Sequence, residues 1–190
     1  MSDTVLETER LVLRPAAPED LDWILEAINT PAMMRNLGGE IRTRAAVAQS
    51  LEEDVAAFLK PEGHQRWTAL LRDTAERVGR VGLFQVRSEA APVSLRGQRE
   101  IGWMFAEAHQ GRGYATEAAR AVLDWAFEDR GIAVVYSQTS DSNAASTRMM
   151  HRLGLERRTD LDYVDPDYPP QDNPTTVWSV TADAWSRRRG

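Results

Sequence analysis

Apolar residues recur along this chain at two spacings, and the alternation between them sets out the elements. Leu11 and Leu13 flank Val12 in a short strand that Pro15 ends. Pro18-Glu19-Asp20 opens a helix with acid in its first turn, and Leu21, Ile24, Leu25 and Ile28 form its apolar stripe. Asn29-Thr30-Pro31 stops it. After Gly38-Gly39, Thr43 caps a second helix with Val47, Leu51, Val55 and Phe58 on one side, broken at Pro61-Glu62-Gly63. Residues 67–71 and 78–86 read as strands joined at Asp73-Thr74-Ala75-Glu76, with a polar loop over 88–97.

The second half repeats the alternation. Glu100-Ile101-Gly102-Trp103-Met104-Phe105 reads as a strand. A long amphipathic helix follows, with Ala115, Ala118, Ala119, Val122, Leu123, Ala126 and Phe127 at intervals of three and four, ended by Gly131. The β-branched run 132–136 predicts a buried strand. Asp141 or Ser142 is placed to cap the next helix, and Gly154 suits its C-terminal end. The last two strands, about 155–163 and 175–181, flank a Pro-rich loop. Strands that come singly, in runs and around helices predict a mixed α/β (α+β) sheet and not a doubly wound one.

Bulk properties narrow the class. A length of 190 residues suits one domain with a sizeable core. At 42% hydrophobic and 27% charged residues the composition is that of an ordinary globular protein. A formal net charge of −6 argues against a general nucleic-acid binder. With no cysteine, a thiol acyl-enzyme and Cys-based zinc sites are excluded. No apolar run is long enough to span a bilayer, and Met1-Ser2-Asp3-Thr4 lacks the basic start of a signal peptide, so a cytoplasmic location is expected. His64, His109 and His151 have no metal-ligand spacing, and no metal is expected.

Gln110-Gly111-Arg112-Gly113-Tyr114-Ala115 lies between the predicted strand and the long helix. A Gly-containing loop that opens a helix leaves backbone N–H groups without partners, and the helix dipole adds to their attraction for phosphate. No P-loop string occurs. The dinucleotide fingerprint is incomplete, because Thr116 stands where the third glycine belongs.

The loop resembles the coenzyme A loop of the GCN5-related N-acetyltransferases (GNAT), Q/R-x-x-G-x-G/A, through Gln110, Gly113 and Ala115. Asn143-Ala144-Ala145-Ser146 with Leu153-Gly154-Leu155 resembles that superfamily's second cofactor segment. Glu9 to Pro15 is similar to the first strand of its RimJ/RimL-like branch, and Val177-Trp178-Ser179-Val180-Thr181 with Trp185 to its end. These matches stand in the right order over nearly the whole chain. The resemblance implies a single N-acetyltransferase domain over 1–190, with its core at about 8–182. Its sheet would be twisted, mixed and mostly antiparallel, with about seven strands flanked by about four helices.

The resemblance also implies roles. Backbone N–H groups of Arg112, Gly113, Tyr114 and Ala115, in the loop with Gln110 and Gly111, would hold the pyrophosphate of acetyl-CoA, the cosubstrate. Met104, Phe105 and Ala106 would pair with the pantetheine arm where their strand splays from its neighbour. Glu100 would take the proton of the attacking amine. Asn143 would bond the pantetheine arm and Ser146 would lie near the thioester sulfur. The tyrosine acid of many relatives is replaced by Met150, with Ser146 as its substitute. Arg148 and Arg152 are either 3′-phosphate contacts or a solvated face. The acidic, aromatic loop 163–174 and Asn36-Leu37-Gly38-Gly39 would border the acceptor.

The expected activity is transfer of acetyl to a primary amine, either a protein N-terminus or a small molecule, directly within a ternary complex. Transfer of another acyl group such as succinyl, a non-catalytic acyl-CoA-binding module and a Rossmann-type nucleotide binder are the competing readings. Neither nucleic acid nor membrane is an expected partner. Homodimers are common in such families, but no segment of the sequence specifies an interface.

Overall fold

The computed structural model describes residues 5–58, 60 and 63–188. An eight-stranded sheet runs through it: β1 (Leu6–Glu7), β2 (Leu11–Pro15), β3 (Gln65–Leu71), β4 (Arg77–Gln85), β5 (Arg99–Phe105), β6 (Val134–Ser140), β7 (Glu156–Arg157) and β8 (Thr175–Thr181). The spatial order is β1-β2-β3-β4-β5-β6-β8-β7. The pairings β1–β2, β2–β3, β3–β4, β6–β8 and β7–β8 are antiparallel and β5–β6 is parallel. This is the mixed, mostly antiparallel sheet that was expected, with a two-residue edge strand, β1, beyond the seven. Among the described residues six α-helical segments accompany it: α1 (Leu21–Trp23), α2 (Pro31–Met34), α3 (Arg44–Phe58), α4 (Tyr114–Asp124), α5 (Ala144–Leu153) and α6 (Ala182–Arg187). None of them is long and apolar enough to cross a membrane.

The residues fall into two units: the N-terminal part to Phe84 with Trp103–Val122, and Gln85–Gly102 with the remainder from Leu123. In the first unit, a 3₁₀ turn (Pro18–Asp20) leads into α1, which widens to a π turn over Ile24–Ile28. Ile24 and Ile28 bury with Ala16, Val47, Leu51 and Ala106, while Leu21, Leu25 and Met104 pack around them. Thr43 caps α3 as expected, its Oγ accepting from Ala46 N at 3.2 Å. The helix ends at Phe58, whose ring meets Trp67 edge-on at 5.3 Å. Pro61 and Glu62, the expected breakers, lie outside the described residues, as does Met1 to Thr4.

Polar groups also bind these helices to the sheet. Arg14, Thr68 and Arg80 stand opposite one another on β2, β3 and β4 and so share a face. Asp20, fully buried, receives Arg14 (3.0 Å), Arg77 Nε (2.7 Å), Thr68 Oγ (2.7 Å) and Ala17 N (3.1 Å). Burial pushes its carboxyl up, but these donors outweigh burial and hold it at about 2 against an ordinary 3.8. A carboxyl so depressed contributes about 2 kcal/mol above pH 4, lost as pH falls toward 2.

In the second unit β6 and β8 pair over seven positions, Val134↔Thr181 to Ser140↔Thr175. The expected strand at 132–136 therefore begins two residues later and runs to Ser140. Its polar half is retained because Ser137 finds a buried acceptor, the Ile101 carbonyl, at 2.9 Å. The strand expected over 155–163 is broken. Glu156 and Arg157 pair with β8 and Tyr163 returns to bridge Thr175, but between them a 3₁₀ turn at Thr159–Leu161 diverts the chain and Asp162 Oδ1 takes the Val177 N–H (2.9 Å). The loop 88–97 is not simply polar. Ala91 and Leu95 bury against Val86, Leu161 and Val177.

Candidate functional site

In the first unit the loop after β5 is shaped by its own residues. A 3₁₀ turn (Glu107–His109) leads into it. Gly111 (φ 76°) and Gly113 (φ 83°) both occupy the left-handed region, which glycine enters without the penalty a Cβ brings. No atom lies within 4 Å of a Cβ at Gly111, so conformation and not crowding explains that glycine. Gln110 Nε2 donates to the Phe105 carbonyl (2.9 Å) and touches Met33 Sδ (3.4 Å), so this side chain ties the loop to the end of β5.

Glu117 N donates to the Gly113 carbonyl at 3.0 Å, which makes Gly113 the N-cap of α4. A glycine cap has no side chain to return. The N–H groups of Tyr114, Ala115 and Thr116 therefore have no intrahelical acceptor and face the loop's mouth. Two residues absent from the expected set brace this mouth from behind. Arg10 Nε binds Glu117 Oε2 (2.7 Å), its Nη1 reaches the Arg112 carbonyl (3.1 Å), and its guanidinium lies 4.7 Å over the Tyr114 ring. Burial acts to raise the Glu117 carboxyl, but bonds from Thr8 and Arg10 lower it below its ordinary value. No local signal marks this clamp, whose partners are 107 residues apart. Arg112 itself is exposed.

β5 ends beside β4. Ala106 N donates to Val78 O (3.0 Å), and a Cβ at Gly79 would come within 2.4 Å of the Phe105 ring. Phe105 and Ala106 are buried, and Met104 is half-buried. The backbone of a strand points alternately to its two sides. With Ala106 turned to β4, the Phe105 N–H is turned away from it.

In the second unit, Glu100 sits at the one register pair of β5 with β6 among the described residues, Glu100↔Tyr136. Its Oε2 accepts from Gln138 Nε2 (2.5 Å), and Gln138 Oε1 accepts from Tyr163 OH (2.8 Å). Burial raises the Glu100 carboxyl above its ordinary value, against the lowering effect of Gln138. It is therefore not the solvated strand-end carboxylate that a position beside Arg99 would suggest. Burial also raises Tyr163 to about 12, aided by the Asp165 and Glu100 charges, so its phenol stays a donor. Gln138 and Tyr163 escaped sequence reasoning because they are 38 and 63 residues from Glu100.

Asn143 is the N-cap of α5, with Oδ1 accepting from Ser146 N at 3.2 Å. Neither expected cap serves: Ser142 donates to Asp172 (2.6 Å) and Asp141 pairs with Arg157 (3.0 Å). Asn143 wins because it stands one residue before the first helical position, where its carbonyl can reach the third N–H. The Ser146 hydroxyl has no partner among the described residues. Met150 is buried, and Arg148 and Arg152 are exposed.

The acidic loop 163–174 turns much of its charge inward. Asp165 and Asp172 are buried, and Ser88 donates to Asp165 at 2.9 Å. Asn173 holds the Asp165, Tyr168 and Pro169 carbonyls. Asp167 remains exposed. Among the described residues no group of three or more His, Cys, Asp or Glu could hold a metal ion.

Comparison with known proteins gives these elements a family. Residues 10–156 match the acetyltransferase (GNAT) domain. The chain is 26% identical over 177 residues to the uncharacterized N-acetyltransferase YoaA of Bacillus subtilis, covering 93% of this chain and 96% of that one. An acetyltransferase structure from Agrobacterium tumefaciens superposes with a TM-score of 0.72 at 30% identity, covering 95% of each chain. The fold is shared as well with AAC(6')-Ib, solved in complex with paromomycin and acetyl-CoA, at a TM-score of 0.78, 24% identity and coverage of 96% and 99%. With the domain match spanning most of its length, the chain belongs to the GNAT acetyltransferase family and is an acyltransferase enzyme.

Proposed function

We propose that this protein moves an acetyl group from acetyl-CoA to a primary amine, by direct attack in a ternary complex, as a member of the RimJ/RimL-like branch acting as one domain. The observation that carries the reading is the uncapped start of α4. Gly113 at the N-cap leaves three N–H groups aimed at one mouth, and Gly111, Gln110 and Arg10 fix its shape. That donor set suits a diphosphate. The Phe105 N–H, turned away from β4, suits an extended amide arm. In the second unit, Asn143 Nδ2 is not used by the cap bond its Oδ1 makes, which leaves an amide donor for the role the family resemblance gives it.

Acetyl-CoA supplies the activated acyl group, and the chain's residues position it and handle one proton. Glu100, raised by burial, is a stronger base than an exposed carboxylate and takes the proton of the attacking amine. Gln138, held by Tyr163, orients its carboxylate. With Met150 at the usual tyrosine position and buried, the thiolate leaves without that acid. Ser146 is the residue of α5 we assign to it, through its hydroxyl. Thiolates have near-neutral pKa values and need little help. The acceptor is a small-molecule amine or a protein N-terminus. The shared fold of AAC(6')-Ib, solved in complex with paromomycin and acetyl-CoA, supports keeping a small-molecule amine among the acceptors.

Two measurements test the reading. Calorimetry with acetyl-CoA should give saturable heat that Gly113→Glu abolishes, because the new side chain fills the mouth with negative charge. Thiol release should then appear with at least one member of an amine panel. Heat without release for any amine would favour a non-catalytic acyl-CoA-binding module. No heat at all would end the proposal.

A further inference from the structure

The first unit holds a second cluster of charge, apart from the loop that opens α4. Asp54, buried on α3, is its one carboxylate among the described residues. Arg80 Nη2 binds Asp54 Oδ2 (2.7 Å), Arg66 Nε lies 3.1 Å from that same oxygen, and His64 Nε2 lies 2.9 Å from Oδ1. Two guanidiniums thus share one carboxylate. The nearby Asp20 does not correct the balance, because Arg14 and Arg77 already occupy it. Arg42 adds a further positive charge acting on both Arg66 and Arg80.

The hydrogen bonds are as incomplete as the charges. The Arg80 side chain is 8% exposed, yet its Nε has no partner among the described residues. Arg66 Nε is also without one. Though close to Asp54, its N–H is not aimed at the oxygen, so the contact is an ion pair and not a hydrogen bond. Arg66 spreads its guanidinium 4.5 Å over the Phe84 ring and remains 24% exposed, which leaves an approach from solvent. Burial, and then repulsion from Arg80, pull Arg66 down to about 10. Uncompensated buried charge and unmade buried bonds are both costly, and an oxyanion supplies what both lack.

We propose that Arg66 and Arg80, with His64 beside them, form a binding site for the carboxylate or phosphate group of a small ligand. Arg66 presents its planar fork at the entrance, Phe84 supports the fork from one side, and Arg80 supplies charge from below. The site takes an anion whether or not the acyl-transfer reading is correct. Arg80 stands opposite Met104, since Ala106 N bonds Val78 O, so the two residues share one face of the sheet.

The test is calorimetric titration of the full chain, without acetyl-CoA, using inorganic phosphate and, separately, acetate at fixed ionic strength in chloride. Saturable one-to-one binding of either supports the site, and the preferred probe tells phosphate from carboxylate ligands. Arg66→Met keeps the apolar stem on Phe84 and should weaken binding at least about tenfold. Asp54→Asn removes the internal competitor and should tighten it, a gain no purely structural cluster would give. Arg158→Met, which removes an exposed pair with Asp160 in the second unit, should leave affinity unchanged, with thermal melts confirming that each variant is folded. Absence of saturable binding by both probes, or equal affinity in the parent and both Asp54→Asn and Arg66→Met, would overturn the proposal.

Discussion

Glu100 shows how one side chain's surroundings set its chemistry. Its carboxyl is raised by burial, so turnover of the parent should climb with pH through that raised value. Glu100→Gln should lower kcat by about 100-fold or more at neutral pH, with little change in acetyl-CoA affinity, and flatten the profile. Equal rates for parent and variant across pH would remove Glu100 from the mechanism. Stability should move the opposite way. A carboxyl with a raised folded pKa stabilises below its ordinary value of 4.5, and that contribution is lost as pH rises through the folded value. Thermal melts should therefore match at acid pH, with the glutamine variant the more stable at neutral pH. The sequence placed Glu100 on the correct strand. The hydrogen bond from Gln138, and Tyr163 behind it, arises only when β5, β6 and the loop after β7 come together.

At the scale of elements, local patterns were read well where local physics decides. The strand 175–181 is β8 to the residue, and Gly154 ends α5 in the left-handed region at φ 79°. Errors fell where a distant partner intervened. Asp141 and Ser142 both have cap chemistry, but Arg157 and Asp172 claim them, leaving Asn143. Asn143→Ala should thus cost about 1 kcal/mol as a lost cap. If Asn143 also holds the pantetheine arm, the Kd for acetyl-CoA will rise as well, and calorimetry beside thermal melts separates the two effects. A stability loss with unchanged affinity would leave it a cap alone. The strand expected at 155–163 was interrupted by a comparable competition, in which the Asp162 carboxylate took a ladder N–H.

For the whole molecule, ligand binding is the measurement that spans the chain. A ligand that binds only the folded state stabilises it by RT ln(1 + [L]/Kd), about 2.7 kcal/mol at one hundred times Kd. For a chain of this size that is a rise of about 5–10 °C in Tm. Acetyl-CoA should give it and NAD should not. A shift with NAD alone would revive the nucleotide-binding reading that the missing third glycine argues against.

By itself the sequence determined most of the strands and helices, the glycine loop, and its resemblance to an acyl-CoA-binding family. Those features depend on periodicity, backbone freedom and short-range order, which neighbouring residues control. Only the tertiary structure decided that Arg10 braces the loop through Glu117, that Asp165 and Asp172 turn inward, and that Arg66 and Arg80 share one carboxylate. Charges find their partners across the folded chain, and burial sets the energy of each pairing, so no local window of sequence contains either quantity.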